Sequence, residues 1–493
     1  MNVLIRADSS SQMGLGHLMR CRSLARELLR NGHEVTFVCR ELPGHQTGII
    51  TADGFATRVI PWEGRDPAPE AMDFSDTVDA VDGGYYDCVV VDHYSLGRSW
   101  EEQMQAHCNR LVVIDDLANR SHSCDFLLDQ NVQAAGRYDS YAPGALQMLG
   151  PRYALLDRSF LHQHPRVRTG INRILVFFGG GDTFDLTSKT IESLSATEFA
   201  HLKLDVVVGP THPRLHSIES LVSSRGNASL YPLQPSLAGL MNDADLSIGA
   251  GGSTNWERLY SGLPAIVVSV ADNQIGPSEA LAQAGLISYI GSHERISDVA
   301  RVVREFLLSP DKLAAMSEAG PLSVDGYGAL RAAEVIAPTG NDSVSLRPAR
   351  LSDAVVYFAW ANETEARQNS LSVDAISWND HEAWFRNRIS SRDSRLFVLE
   401  TSAGLPIGQI RFDRLEDEIY RLSYALDPLV RGRGLAKIII ARGMQLMALS
   451  GASKLVAEVK AFNTRSVRVF EGMGFRSEQD GSEVRRFTVD LTI

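Results

Sequence analysis

Gly14-Leu15-Gly16-His17-Leu18-Met19-Arg20 is the stretch from which the fold of the first part of this chain can be read. It follows a short apolar strand pattern, residues 1–6, and opens a helical pattern carried by Leu24, Ala25, Leu28 and Leu29. Strand, glycine turn and helix in that order begin a doubly wound α/β unit, whose ligands bind beyond the carboxyl ends of the strands. Two glycines let the backbone turn tightly and approach a ligand, and the unpaired amides at a helix start favour an anion. His17 therefore stands where a phosphate-bearing substrate would dock, and an imidazole titrates near neutrality and can take a proton from water. Taken alone, the same residues also read as a polar loop above a strand.

The 493 residues allow two to four domains, each with its own core. Composition is that of a globular protein, 44% hydrophobic and 22% charged, with no apolar run near the roughly 20 residues needed to span a bilayer. The apolar start lacks a basic leader, so it reads as a strand, and the protein is expected in the cytoplasm without a membrane partner. Five scattered cysteines without a C-x-x-C pair suit a reducing compartment and suggest neither a disulfide framework nor a zinc site. The formal net charge is −12. From Ser343 onward basic and acidic residues nearly balance, so the acidity belongs to the first two-thirds. Bulk nucleic-acid binding needs a basic face and is not expected; any phosphate site must be local.

Residues 33–39, 86–92 and 110–116 continue the apolar strands at helix-length intervals, which predicts a parallel sheet covered on both faces. Asp92, His93, Tyr94, Asp115 and Asp116 fall at strand ends, on the same rim as His17. The pattern restarts at 173–178, 204–208, 244–248 and 264–269, predicting a second doubly wound domain and a cleft between the two. Within it, Gly249-Ala250-Gly251-Gly252-Ser253-Thr254-Asn255-Trp256-Glu257 offers backbone amides and hydroxyls suited to a diphosphate. Glu257 could hold a diol such as ribose. The simpler reading is a capped turn with a first-turn acid. No Lys follows the glycines, so the Walker pattern is absent.

Gly14-x-Gly16-His17-x-x-Arg20, Phe178-Gly179-Gly180-Gly181-Asp182 and Gly251-Gly252-Ser253-Thr254-x-x-Glu257 together resemble the UDP-sugar hydrolases of pseudaminic acid biosynthesis, over about the first 335 residues. The resemblance implies a GT-B fold, with a Rossmann-like domain at 1–160 and a nucleotide-binding one at 161–335. It also implies release of UDP from UDP-2,4-diacetamido-2,4,6-trideoxy-β-L-altropyranose by inverting water attack. His17 matches the general base. Gly14, Gly16, Arg20, Tyr94, Asp182, Gly251, Gly252, Ser253, Thr254, Asn255 and Glu257 match substrate-binding positions. The chain reads Gly-Gly-Gly-Asp-Thr where the family suggests Gly-Gly-Ser-Asp-Pro, which weakens the match at Asp182. No metal is expected, because a histidine base does not require bound hydroxide.

Residues 336–343 read as a linker, and 344–493 as a further domain. Residues 396–400 and 406–412 flank a turn at Ala403-Gly404, predicting a hairpin. A strand through Leu426 then feeds Arg431-Gly432-Arg433-Gly434-Leu435-Ala436 at a helix start, again a diphosphate cradle. Arg-x-x-Gly-x-Ala, followed by Asn463-Thr464-Arg465-Ser466 and Gly472-Met473-Gly474-Phe475, resembles the GNAT acetyltransferases, α+β enzymes that use acetyl-CoA. The resemblance places acetyl-CoA against Leu426, Arg431, Gly432, Arg433, Gly434, Ala436, Asn463 and Ser466. Many members carry a Tyr where Phe470 stands, and a phenyl ring cannot protonate a departing thiolate.

Both resemblances imply consecutive steps on a UDP-linked amino sugar, 4-N-acetylation and then hydrolysis. Two alternatives retain the same residues: sugar transfer to an acceptor, or a first half that only presents a nucleotide sugar. Sugar stereochemistry and oligomeric state are not legible in the sequence.

Overall fold

A computed structural model describes residues 1–65, 67–132, 136–209, 212–478 and 483–491. The chain packs as two units, Met1–Ala337 and Pro338–Ile493.

The first unit contains two parallel sheets. In the first, β1 (Asn2–Ala7), β2 (Glu34–Arg40), β3 (Ala56–Ile60), β4 (Cys88–Asp92), β5 (Leu111–Ile114), β6 (Phe126–Asp129) and β7 (Leu146–Leu149) run in the order 3-2-1-4-5-6-7. In the second, β8 (Arg173–Phe177), β9 (Lys203–Val208), β10 (Ala228–Pro232), β11 (Leu246–Ala250), β12 (Ala265–Ser269) and β13 (Ser288–Ser292) run in the order 10-9-8-11-12-13. Each is the expected doubly wound sheet, with the chain reversing direction across it beside its first strand. β3, β6, β7, β10 and β13 are additions to the strands read from sequence. They are edge or outer strands, short or more exposed, and so lack a long apolar signal.

β1 and β4 are almost wholly buried because helices cover both faces. The helix Gly16–Arg30 turns Leu18, Cys21, Leu24, Ala25 and Leu28 into that core. The helix Gly328–Ile336 packs there too, through Ala329, Ala332, Ala333 and Ile336. Residues 161–335 thus do not form a self-contained packing unit: their last helix closes the core of the first sheet, because its small-residue face fits against the helix Gly16–Arg30.

In the second unit, β14 (Val344–Pro348), β15 (Ser394–Thr401), β16 (Pro406–Glu416), β17 (Ile419–Leu426), β18 (Lys454–Lys460), β19 (Arg476–Glu478) and β20 (Val484–Asp490) form a mixed sheet in the order 14-15-16-17-18-20-19. β15 and β16 form the expected antiparallel hairpin. β17 stays paired with β16 as far as Leu426, yet its parallel ladder with β18 covers only Ile419–Arg421 against Lys454–Val456. The two strands part beyond that point and leave a wedge. The fold class is therefore α/β, two Rossmann-like sheets followed by an α+β domain. Among the described residues no helix is long and apolar enough to cross a membrane, and the cysteines are free.

Candidate functional site

A cleft of about 1110 Å³ lies between the two sheets of the first unit and is lined from both lobes. It is large enough for a nucleotide-sized ligand. Gly14, Gly16, His17, Arg20, Tyr94, Asp182 and the run from Gly251 to Glu257 all line it, so the structure brings the sequence-predicted residues together.

Gly14 has φ of +78°, which the turn before the helix requires. The first intrahelical bond runs from Met19 N–H to Leu15 C=O, so the amides of Gly16, His17 and Leu18 precede it and are open to an anion. His17 is 4% exposed, and its Nδ1 lies 2.5 Å from Asp92 Oδ1. Asp92 also accepts from Arg20 Nε and Nη2, both at 2.6 Å, and Arg20 Nη1 donates to Asp116 at 2.7 Å. Burial by itself would raise the Asp92 pKa, but the Arg20 charge and the hydrogen bonds from Arg20 and His17 outweigh it and hold the carboxyl well below the usual range. An ionised Asp92 keeps the hydrogen on His17 Nδ1, leaving Nε2 with the lone pair. Asp92 is thus the orienting group for His17; its place at a strand end was legible in the sequence, but this pairing was not. Arg20 acts through Asp92 and Asp116, with its guanidinium already engaged. The Tyr94 ring stands edge-on to His17, with centroids 4.3 Å apart.

On the opposite lobe, Ser253 precedes the short helix Thr254–Tyr260 but makes no side-chain cap bond. Neither the Ser253 nor the Thr254 hydroxyl has a partner among the described residues, so both are available to a ligand. Asn255 Oδ1 accepts from Arg258 Nη1 at 3.0 Å, which leaves the Asn255 amide hydrogens unspent. Among the described residues the Glu257 carboxylate has no hydrogen-bond donor; burial pushes its pKa up to about 7 despite neighbouring Arg258. Such an acid is ready to bind hydroxyls.

Asp182 also lines the cleft, but its oxygens accept the amides of Leu186 and Thr187, at 2.9 and 2.8 Å. It secures the start of the helix Leu186–Ser193, which limits what it can offer a substrate. Asp182, Asp185 and His212 lie close enough to hold a metal ion. Their groups already serve the protein: Asp185 accepts from Ser188 and Arg214, and His212 Nδ1 accepts the Arg214 amide. His212 Nε2 therefore carries its proton toward Asp182, 3.4 Å away.

In the second unit the loop before the helix Leu435–Leu449 has φ of +81° at Gly432 and +83° at Gly434. The Arg431 side chain, expected at a diphosphate, instead donates to Glu365 (2.8 Å), Glu363 (2.6 Å) and the Leu426 carbonyl (3.2 Å). Arg433 donates to the Thr339 carbonyl. The paired carboxylates of Glu363 and Glu365 draw Arg431 away, so the loop presents its backbone first. Ala436 lies in the first turn of the helix. Asn463 Oδ1 caps Ser466 N–H, and Ser466 Oγ lies 3.3 Å from the Tyr424 hydroxyl. Phe470 is buried against Phe475 and Phe487 as a core residue.

Residues 174–326 match the glycosyltransferase family 28 C-terminal domain, and residues 343–476 the GNAT acetyltransferase domain. The chain is 22% identical to an uncharacterized protein of Methanocaldococcus jannaschii over 98% of both chains. It is 24% identical to the UDP-2,4-diacetamido-2,4,6-trideoxy-β-L-altropyranose hydrolase of Campylobacter jejuni, over 58% of this chain and 97% of that one. A Helicobacter pylori protein named as both pseudaminic acid cytidylyltransferase and that hydrolase is 22% identical over 58% of this chain and 48% of its own. The chain accordingly joins a segment similar to the UDP-sugar hydrolases of the pseudaminic acid pathway to a segment that matches the GNAT acetyltransferase domain.

Proposed function

We propose that the protein carries out two consecutive steps on a UDP-linked 4-amino-6-deoxy sugar, acetylation of the 4-amino group from acetyl-CoA and hydrolysis of the sugar–UDP bond. The observation that supports hydrolysis best is the His17–Asp92 pair at a glycine turn inside the cleft. Asp92 fixes the tautomer, and His17 Nε2 takes a proton from water as its oxygen attacks the anomeric carbon with inversion. The bond to the diphosphate breaks as water adds. Backbone amides of the two glycine-rich turns, with the Ser253 and Thr254 hydroxyls, hold the developing charge on UDP. Glu257 binds the ribose diol. In the second unit the wedge between β17 and β18 receives acetyl-CoA, with its diphosphate at Gly432–Gly434. The substrate amine attacks the thioester, and the CoA thiolate leaves and is protonated.

The test is a time course with the UDP-linked 4-amino sugar, with and without acetyl-CoA, following CoA thiol and UDP together. CoA release followed by dependent UDP release is the expected result. His17→Ala should abolish UDP release and spare acetyl transfer; unchanged hydrolysis would remove His17 from the mechanism. UDP release that requires an added acceptor would assign sugar transfer instead.

A further inference from the structure

Asn273 was not among the residues singled out from sequence, yet it forms a side-chain bridge across the cleft. It lies in the turn Asp272–Gln274 that follows β12 in the second lobe, and its Nδ2 donates to the Tyr94 hydroxyl of the first lobe at 2.8 Å. Arg22 Nη1 makes another cross-lobe bond, to the Pro235 carbonyl at 3.3 Å. Burial, aided by Asp116, pushes the Tyr94 pKa well up, so the phenol stays protonated. A phenol has one proton to give and lone pairs to receive. Asn273 occupies a lone pair, and no described residue accepts the Tyr94 proton. The same ring forms a wall of His17, with planes at 81°.

We propose that Asn273 is a positioning residue that, by donating to Tyr94 across the cleft, closes the lobes over the substrate and commits the Tyr94 proton to an oxygen of the bound sugar diphosphate. The inference rests on the UDP-sugar reading of this cleft. It adds to that reading a direction: Tyr94 is a donor to the substrate because Asn273 is a donor to Tyr94. Asn273→Asp keeps the shape and reverses the polarity, since a carboxylate accepts the phenol proton.

The experiment uses the full chain with Asn273→Ala, Asn273→Asp, Tyr94→Phe and the double variant Tyr94→Phe/Asn273→Ala. UDP release from the UDP-linked diacetamido sugar and the affinity for UDP alone are measured. Each single variant should lower kcat about 10- to 100-fold, the scale of a small misplacement of a reacting group. UDP affinity should fall in Tyr94→Phe and Asn273→Ala alike, the double variant should bind UDP no more weakly and turn over no more slowly than Tyr94→Phe, and Asn273→Asp should not restore either property. Multiplying losses in the double variant, or wild-type rates in Asn273→Asp, would overturn the proposal. If the wild type releases no UDP, the hydrolase reading fails by itself. The bridge is then judged by hydrogen exchange over residues 92–95 and 270–276: UDP should slow it in the wild type and not in Asn273→Ala, and equal protection in both would overturn the bridge.

Discussion

At the scale of the residue, the chemistry depends on groups whose state is set by their neighbours. Asp92 holds His17 and is itself held by Arg20. Asp92→Asn should cost roughly 10³-fold or more in UDP release, because an amide no longer enforces the tautomer with Nε2 free. Retained UDP binding by calorimetry would show that the fold survives. Glu257 gives a pH prediction. Its folded pKa of about 7 exceeds the ordinary 4.5, so the folded state binds the proton more tightly than the unfolded chain. The cost of ionising it is absent below about pH 4.5, grows as pH rises through 7, and is constant above. Glu257→Gln should therefore match the wild type in stability near pH 4 and exceed it at pH 8 by on the order of 3 kcal/mol at most. Denaturant unfolding at the two pH values reads this. The place of His17 and Glu257 on the cleft was legible because their glycine-rich settings are local in sequence. The Asp92 pairing and the Asn273 bridge were not, because each joins residues distant along the chain.

At the scale of the element, glycine-rich turns stand where strands hand over to helices. The wedge between β17 and β18 comes from a ladder that stops at Arg421 and Val456 while each strand continues. The expected role of Arg431 depended on the spacing of its motif, and the carboxylates of Glu363 and Glu365 on the preceding segment decided where its side chain lies. The helix Gly328–Ile336 seals the first lobe, and a Cβ at Gly328 would lie 2.2 Å from the Ala154 carbonyl oxygen and 2.5 Å from the Tyr153 carbonyl carbon. Both are backbone and cannot swing aside. Gly328→Ala should destabilise the first unit by about 1–3 kcal/mol, the usual cost of overpacking. Its thermal unfolding should move to lower temperature while acetyl-CoA binding by the second unit is retained.

At the scale of the whole molecule, two units carry two different kinds of sheet. In the first, all strands are parallel and the residues of interest gather beyond their carboxyl ends, in a cleft that needs both lobes. In the second, the sheet is mixed and its opening lies within one sheet, between two parting strands. The sequence by itself determined the succession of doubly wound, doubly wound and α+β folds, because buried parallel strands are continuously apolar and the turns between them are marked by glycine. It also determined which turns suit an anion, since that depends on a few adjacent residues. Only the tertiary structure decided which side chains are free to act. Arg20, Asp182 and Arg431 were expected at a ligand and hold protein carboxylates or amides, whereas the side chains of Ser253, Thr254 and Glu257 have no hydrogen-bond partner among the described residues. The reason is physical: a charged group buried in a folded chain takes the nearest group that satisfies it, and that group is found by packing across tens or hundreds of residues, not by local pattern.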